Sequence, residues 1–145
     1  MASDSAQFCT FYLGELLFGV EVRYVREVLQ EQRVTRVPLA HPMVSGLINL
    51  RGQIITAIDL RKRLQLDSCA TGPARVNIIV KVDQSTVSFL VDAVAEVEEM
   101  RNCSFESLPE TLRGIVRLLV KGVYKLPKQL LLILDPEKLL DLQTT

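Results

Sequence analysis

Apolar and polar positions alternate with a period of two along most of the chain. Residues 17–22 place Phe18, Val20 and Val22 on one apolar face, which predicts a half-buried strand. An apolar run at 11–13 precedes this strand, and the Gly-Glu pair between them predicts the turn of a hairpin. Similar segments follow at 34–37, 47–50, 53–58, 76–82 and 86–91. The pattern therefore predicts a mostly β protein.

Short helices are predicted where the alternation changes. Val22, Val25 and Val28 are spaced three residues apart, which predicts one or two helical turns after the first hairpin. Residues 92–97 change period in the same way, and residues 59–66 have the pattern of a further short helix.

The second half of the chain repeats the first. Residues 19–28 (GVEVRYVREV) match residues 88–97 (SFLVDAVAEV) at an offset of 69, and residues 50–64 match residues 126–140 at an offset of 76. The larger second offset implies extra residues in the second half, most simply within 117–125. We infer an internal duplication of one small, mostly β unit. Many short strands with regular turns favour small barrels or a sandwich.

The repeat also predicts the domain organisation. Residues 67–73 have the composition of a linker. We expect a single domain over 1–145, with one subdomain at about 14–66 and a second at about 75–145. The segment 7–13 is a candidate for being shared between them. Each half is close to the size limit for an independent core, so the two halves are expected to fold together.

Composition narrows the classes of partner. The 145 residues include 17 Lys plus Arg and 17 Asp plus Glu, so the formal net charge is zero, which argues against nucleic acid or anionic lipid as the main partner. Aromatic residues make up only 6% and do not alternate with basic ones. The N-terminus lacks a secretory pattern, and every apolar run is far shorter than the ~20 residues of a membrane helix. We expect a soluble, intracellular protein.

The sequence offers little catalytic chemistry. His41, the only histidine, precedes a proline and is interpreted as a polar turn residue, which nearly excludes histidine-based catalysis and metal binding. Cys9, Cys69 and Cys103 are far apart and form no CxxC, so free thiols are expected. No phosphate-binding glycine loop occurs. We predict no metal and no cofactor. The acidic cluster at 96–99 is interpreted as a solvated face, and a small enzyme using it is the remote alternative.

One cation stands out in the otherwise apolar segment at 48–59. Arg51 and Gly52 are opposite Pro127 and Lys128 in the second copy, so the shared fold does not require the arginine. We interpret Arg51 as a specialised polar residue of the first half.

Two valine stripes also repeat, at 22/25/28 and 91/94/97. For any one valine, a place in the core is the simpler interpretation. Because the stripes are duplicates, they could also flank an apolar seam between the halves, where a partner helix would lie.

Five segments resemble the CheW family of chemotaxis adaptors. They are FGVEVRYVREV, TRVP, GLINLRGQIITAIDLRKRL, VSFLVDAVAEV and LLLILDPEKLL, which occur in that order between about Phe8 and Leu142. The resemblance implies two five-stranded SH3-like β-barrels packed around a shared hydrophobic core, with short helices. It also implies a non-catalytic adaptor without cofactors.

The partners implied by the resemblance are the cytoplasmic tip of a methyl-accepting chemoreceptor and the regulatory domain of a CheA-type histidine kinase. The protein would be cytoplasmic, recruited to membrane-associated receptor arrays without inserting into the membrane, and able to take part in CheW-like rings. A flagellar pathway and a twitching or other chemosensory pathway both remain open. A small-barrel nucleic-acid-binding protein is a remote alternative.

The resemblance also implies site residues. Receptor and kinase coupling falls on Val25, Glu27, Gly46 and Arg51. The apolar groove between the barrels falls on Val22, Val28 and Val94. Glu27 is the expected ion-pair partner of Arg51.

Overall fold

The fold was analysed in a computed structural model, which describes residues 5–30, 32–66, 75–101 and 104–141. The strands are β1 (Ser5–Leu13), β2 (Leu16–Glu21), β3 (Val25–Gln30), β4 (Val44–Leu50), β5 (Gln53–Asp59), β6 (Val76–Val82), β7 (Ser85–Val91), β8 (Ala93–Arg101), β9 (Val120–Lys125) and β10 (Leu130–Leu134). The helices are α1 (Leu60–Arg63), α2 (Ile115–Leu119) and α3 (Pro136–Leu140), and a 3-10 turn covers Val22–Tyr24. In these ranges no helix has the length and apolar character needed to cross a membrane.

The strands form two five-stranded sheets. Sheet 1 has the order β8-β1-β2-β10-β9, and sheet 2 has the order β3-β6-β7-β5-β4. Neighbours are antiparallel except for β2–β10 and β5–β7, which are parallel. The predicted fold class, mostly β with two five-stranded SH3-like units and short helices, is confirmed.

The two sheets are related by the internal repeat. Strands β1 to β5 of the first copy correspond in order to β6 to β10 of the second. When every strand is exchanged for its counterpart, the order of one sheet becomes the order of the other. A bulge between Val44 and Gly46 in β4 has its counterpart between Val120 and Gly122 in β9, at the offset of 76. The duplication predicted from sequence is therefore present in the topology.

Each sheet takes strands from both copies of the repeat. Sheet 1 joins β1 and β2 to β8, β9 and β10, whereas sheet 2 joins β3, β4 and β5 to β6 and β7. The bounds 14–66 and 75–145 therefore do not coincide with the sheets, and segment 7–13 lies within sheet 1. The physical reason is the short connection after β2, where one 3-10 turn carries the chain from one sheet to the other. The predicted linker, residues 67–73, lies outside the described residues.

The prediction of helical turns after the first hairpin is wrong for Val25 and Val28. Within that segment only Val22–Tyr24 form a 3-10 turn, and both valines lie on β3. A β-bulge at Arg26 sets Val25 opposite Val80 and Val28 opposite Ile78. One extra residue in a strand lets two side chains three apart share a face, which imitates helical spacing. The extra residues predicted for the second copy lie before β9, in the connection that contains α2. They do not lie within β9, because β9 is the counterpart of β4.

The largest hydrophobic cluster lies between the sheets. It combines Phe11 and Phe18 of sheet 1 with Ile78 and Phe89 of sheet 2, all buried. A smaller cluster belongs to sheet 1 alone: Phe8, Leu17, Tyr124, Leu131 and Ile133. Its counterpart in sheet 2 is Ile48, Ile55, Ala57 and Ile79. The core is thus shared, as the resemblance implies.

A polar cluster ties the copies together beside this core. The Arg61 guanidinium donates to Asp92, with Nε 2.9 Å from Oδ1, and the Gly14 N–H donates to Oδ2 of the same carboxylate at 2.7 Å. Arg75 donates to Asp59 at 3.0 Å. Partial burial would raise the pKa of Asp92, but the hydrogen bonds from Arg61 and Gly14, with the charges of Arg61 and Arg75, hold that pKa below its ordinary value.

Candidate functional site

Arg51 lies in the tight turn that joins β4 to β5. Leu50 pairs with Gln53 across the hairpin, so Arg51 and Gly52 are the two turn residues. Their φ angles are 52° and 84°, the combination that a type I′ turn requires. The Asn49 side chain accepts the Gly52 N–H at 3.1 Å. Residues other than glycine rarely adopt positive φ, so turn propensity does not explain an arginine at this position.

The Arg51 guanidinium donates to Glu27 Oε2, which confirms the expected ion pair. Glu27 lies on β3 and Arg51 follows β4, and these two strands are the opposite edges of sheet 2. The contact therefore joins the two edges of the curled sheet. The Arg51 side chain is 68% exposed and that of Glu27 is 30% exposed, so the pair faces solvent and is accessible to a partner.

Sheet 1 has no counterpart of this pair. Glu96 occupies the position of Glu27, but Pro127 occupies that of Arg51. Proline fixes φ near −65°, so the second hairpin cannot adopt the same turn. The residues that flank the turn still pair, as Leu50 and Gln53 do: the Leu126 N–H donates to the Gln129 carbonyl at 2.8 Å.

Gly46 acts through backbone packing. A Cβ at this position would lie 2.3 Å from the Thr35 carbonyl oxygen and 2.5 Å from Cγ1 of Val34. Thr35 crosses here and forms two hydrogen bonds with Leu47, both of 2.8 Å. Gly46 is buried, so the structure places it inside the barrel rather than on a contact surface.

The predicted apolar positions divide between the core and the surface. Val22 and Val25 are half-buried and pack against the shared core. Val28 is 43% exposed on the edge strand β3. Val94 also packs against the core and lines a groove of about 530 Å³ in sheet 1, together with Thr10, Tyr12, Leu17, Ala95, Glu96, Glu98, Leu126 and Gln129. Val22 and Val28 do not line that groove, so a single groove containing all three valines stays a prediction.

The valine stripes follow the repeat from core to surface. Val91 is fully buried and Val94 is half-buried, whereas Val97 is 60% exposed, just as Val28 is the most exposed of its stripe. Ile54 and Leu130, also equivalent at the offset of 76, are both exposed. The sequence analysis did not select Ile54 and Leu130, although the offset of 76 shows that they are equivalent. Exposed aliphatic side chains at equivalent places favour protein contacts.

The site offers binding groups more than reactive ones. It presents an accessible guanidinium–carboxylate pair beside half-buried and exposed valines on a sheet edge. Across the described ranges, no group of three or more His, Cys, Asp or Glu residues is arranged to hold a metal ion. Cys9 is buried in the shared core, and burial raises the pKa of its thiol. Cys69 and Cys103 lie outside the described residues.

Known proteins share this sequence and fold. The CheW-like domain family matches residues 7–144. The chemotaxis protein CheW of Treponema pallidum is 32% identical over 145 residues, a match spanning 96% of this chain and 85% of that protein. The Bacillus subtilis protein of the same name is 30% identical over 128 residues, spanning 88% and 82%.

A solved structure agrees with these relatives. The crystal structure of the scaffolding protein TtCheW from Thermoanaerobacter tengcongensis superposes with a TM-score of 0.86 at 29% identity, over 97% of this chain and 95% of that one. With a family match over nearly its whole length, the chain belongs to the CheW-like domain family.

Proposed function

We propose that this protein is a non-catalytic adaptor that couples methyl-accepting chemoreceptors to a CheA-type histidine kinase and helps to assemble their signalling arrays. It would do so in the cytoplasm, recruited to receptor tips without entering the membrane. Membership of a family with chemotaxis and scaffolding proteins supports this role. The local support is the exposed Glu27–Arg51 pair at the edge of sheet 2.

Stability alone does not account for Arg51. An exposed ion pair contributes about 0–1 kcal/mol to folding. A non-glycine residue held at positive φ costs on the order of 1 kcal/mol, which offsets that gain. The arginine is therefore better explained by the fork of donors that it offers next to a carboxylate.

The neighbouring residues complete the proposed coupling surface. Val25 and Glu27 are two residues apart on β3, and Val28 adds an exposed aliphatic side chain. Gly46 contributes by allowing the strand crossing that shapes the same barrel. Val22, Val28 and Val94 are the proposed apolar contacts for the helical tip of a receptor.

The test is a reconstitution with a receptor, a CheA-type kinase and this protein. Arg51→Asn removes the guanidinium and keeps a residue that tolerates positive φ. We expect the variant to remain folded and to lower receptor-dependent kinase activation about tenfold. Lys128→Asn, at the equivalent turn of the second hairpin, is the matched control and should retain activation.

Two results would count against the proposal. If neither receptor nor kinase binds the protein at about 50 µM, which corresponds to roughly −6 kcal/mol of binding free energy, the adaptor role fails. If Arg51→Asn loses its β signal in circular dichroism, Arg51 is mainly structural and the coupling role assigned to it is wrong.

A further inference from the structure

A basic pocket lies in the connection between β3 and β4, next to Gly46. It has a volume of about 450 Å³. Its lining is Val34, Arg36, Val37, Leu39, Ala40, His41, Pro42, Val44, Ser45 and Lys62. None of these residues belongs to the set proposed for receptor and kinase coupling.

The walls of the basic pocket are held by backbone hydrogen bonds. The Val44 N–H donates to the His41 carbonyl at 2.8 Å, and the Asp59 N–H donates to the Met43 carbonyl at 3.0 Å. The root of the loop is fixed where Thr35 pairs with Leu47. A connection tied at both ends presents its side chains in a preformed arrangement, as binding sites generally do.

The charged side chains of the pocket are all hydrogen-bond donors. Arg36 and Lys62 are exposed cations, and no acidic residue lines the pocket. His41 Nδ1 accepts the Met43 N–H at 3.2 Å, so the neutral imidazole carries its proton on Nε2 and can donate from there. Among the residues with described positions, neither Arg36 nor Lys62 makes an ion pair. Such a set of donors complements a group with several acceptor oxygens and negative charge.

The rim of the pocket is aliphatic. Leu39 is fully exposed and has a φ of 63°, and Val37 beside it is 39% exposed. A leucine held at positive φ in solvent gains nothing from burial and bears local backbone strain. A partner that brings aliphatic carbon to the rim would cover this side chain.

Among the described residues, the equivalent place in the second copy has a different lining: the pocket at Phe105 and Lys121 also contains the acidic residue Glu21. Lys138 is the counterpart of Lys62, but the bridge residue equivalent to Thr35 is Glu106, and the chain continues into α2. The fold therefore does not require the basic pocket, just as it does not require Arg51.

We propose that the basic pocket is a docking site for an acidic segment of a partner protein, in which carboxylates are flanked by aliphatic side chains. The carboxylates would meet Arg36, His41 and Lys62, and an aliphatic neighbour would cover Leu39. Because the pocket shares no residue with the coupling surface, either proposal can fail without the other.

The test is a titration of the isotope-labelled full chain followed by amide chemical shifts. The probe is a capped peptide with two glutamates flanked by leucines, and the reference peptide has glutamines in their place. Shifts should cluster at residues 34–45 and 62, with a Kd of about 1 mM. Raising the salt from about 20 to 200 mM should weaken binding, because exposed charges are screened.

Variants separate the charged and aliphatic contributions. Arg36→Gln combined with Lys62→Gln should weaken binding at least tenfold. Leu39→Asn, whose new side chain is neutral and tolerates positive φ, should also weaken it. Lys81→Gln combined with Lys128→Gln removes two exposed cations elsewhere and should leave the Kd unchanged.

Three outcomes would overturn the proposal. Equal binding of the glutamine and glutamate peptides would remove the charge argument. Equal weakening of binding by the control pair of lysine variants and by the pocket pair would indicate diffuse attraction. Displacement of the peptide by inorganic phosphate at equal concentration and matched ionic strength would make the pocket a small-anion site.

Discussion

The β4–β5 and β9–β10 hairpins occupy equivalent places in the two sheets but end differently. Both carry a bulge at a glycine, and both lead into a short helix capped by an aspartate, Asp59 in one and Asp135 in the other. The first turns through Arg51 and Gly52 at positive φ, whereas the second turns through Pro127 and Lys128. The features that the hairpins share, the bulge and the capping aspartate, maintain the fold. The turn residues differ, so the fold does not fix them and they can serve a function specific to one sheet.

The helices that follow the hairpins show the same division. Arg63 in α1 is fully buried, and its counterpart at the offset of 76 is the buried Leu139 in α3. Arg63 donates to the carbonyl oxygens of Leu139, Lys138 and Asp141, each at 2.9 Å. One copy thus caps the helix end of the other, so the repeat is asymmetric where its halves meet.

The largest expected effect comes from the glycines at the two bulges. Gly46→Ala should lower the free energy of unfolding by about 3 kcal/mol, because the new Cβ would meet the backbone of Thr35 at 2.3 Å. At Gly122 the nearest atom is 2.2 Å away on the exposed Phe105 ring, and the Glu106 carbonyl oxygen is 2.8 Å away. The ring can move and this carbonyl is farther than that of Thr35, so Gly122→Ala should lose less, about 2 kcal/mol. Urea unfolding measures both. Equal losses would show that the rigid crossing at Thr35 is not what Gly46 accommodates.

The next effect on the free energy of unfolding is expected at Arg63, which caps the end of α3. Arg63→Leu, which copies the residue of the other half, should lower the free energy of unfolding by about 3 kcal/mol because three carbonyls lose a charged donor. Lys62→Leu, at the adjacent exposed position, is the control and should change it by less than about 0.5 kcal/mol. A loss below about 1 kcal/mol for Arg63→Leu would mean that the desolvation of the buried cation offsets its hydrogen bonds.

The apolar pattern along the chain predicted most strands, although β2 and β7 are buried on both faces and not on one. The same reasoning predicted a helix at Val25 and Val28, since a bulge and a helical turn both bring side chains three apart onto one face. The sequence pattern could not show which strands share a sheet. The two copies have similar patterns, so a strand of one copy could pair within its own copy or with the other copy, and the connection after β2 decides between these arrangements.

The ion pair of the site was predictable, but the pocket was not. Glu27 and Arg51 were paired through the family resemblance, and Arg51 stood out because Pro127 replaces it in the repeat. Arg36, His41 and Lys62 come together only through the path of the β3–β4 connection. Hydrophobic periodicity carries no information about such a path, so His41 was interpreted simply as a turn residue.

A smaller, pH-dependent effect is expected at Asp92, whose counterpart in the first copy is Arg23. Because the pKa of Asp92 is lowered by folding, its contribution is present above the ordinary aspartate value of about 3.9 and is lost as pH falls through the folded pKa. Asp92→Asn should lower the free energy of unfolding by about 1–2 kcal/mol at pH 7. The difference from the unsubstituted protein should shrink between about pH 5 and pH 2.

Urea unfolding across that pH range measures the effect. Asp83→Asn is a suitable control, because Asp83 lies in an exposed turn and asparagine tolerates its φ of 53°. It should alter the free energy of unfolding by less than about 0.5 kcal/mol at pH 7. A difference for Asp92→Asn that stays constant with pH would show that the carboxylate is not what stabilises the Arg61 and Arg75 cluster.

The smallest expected effect comes from making the two hairpins alike. Pro127→Arg with Lys128→Gly converts residues 126–129 to Leu-Arg-Gly-Gln, the sequence of residues 50–53. Glu96 occupies the place of Glu27, so the graft supplies both members of an exposed pair, and the free energy of unfolding should change by less than about 1 kcal/mol. Receptor-dependent kinase activation, measured in the same reconstitution as Arg51→Asn, should stay unchanged. Activation recovered when the graft is added to Arg51→Asn would show that either sheet can present the pair. No recovery would tie its role to the surroundings of β3 in sheet 2.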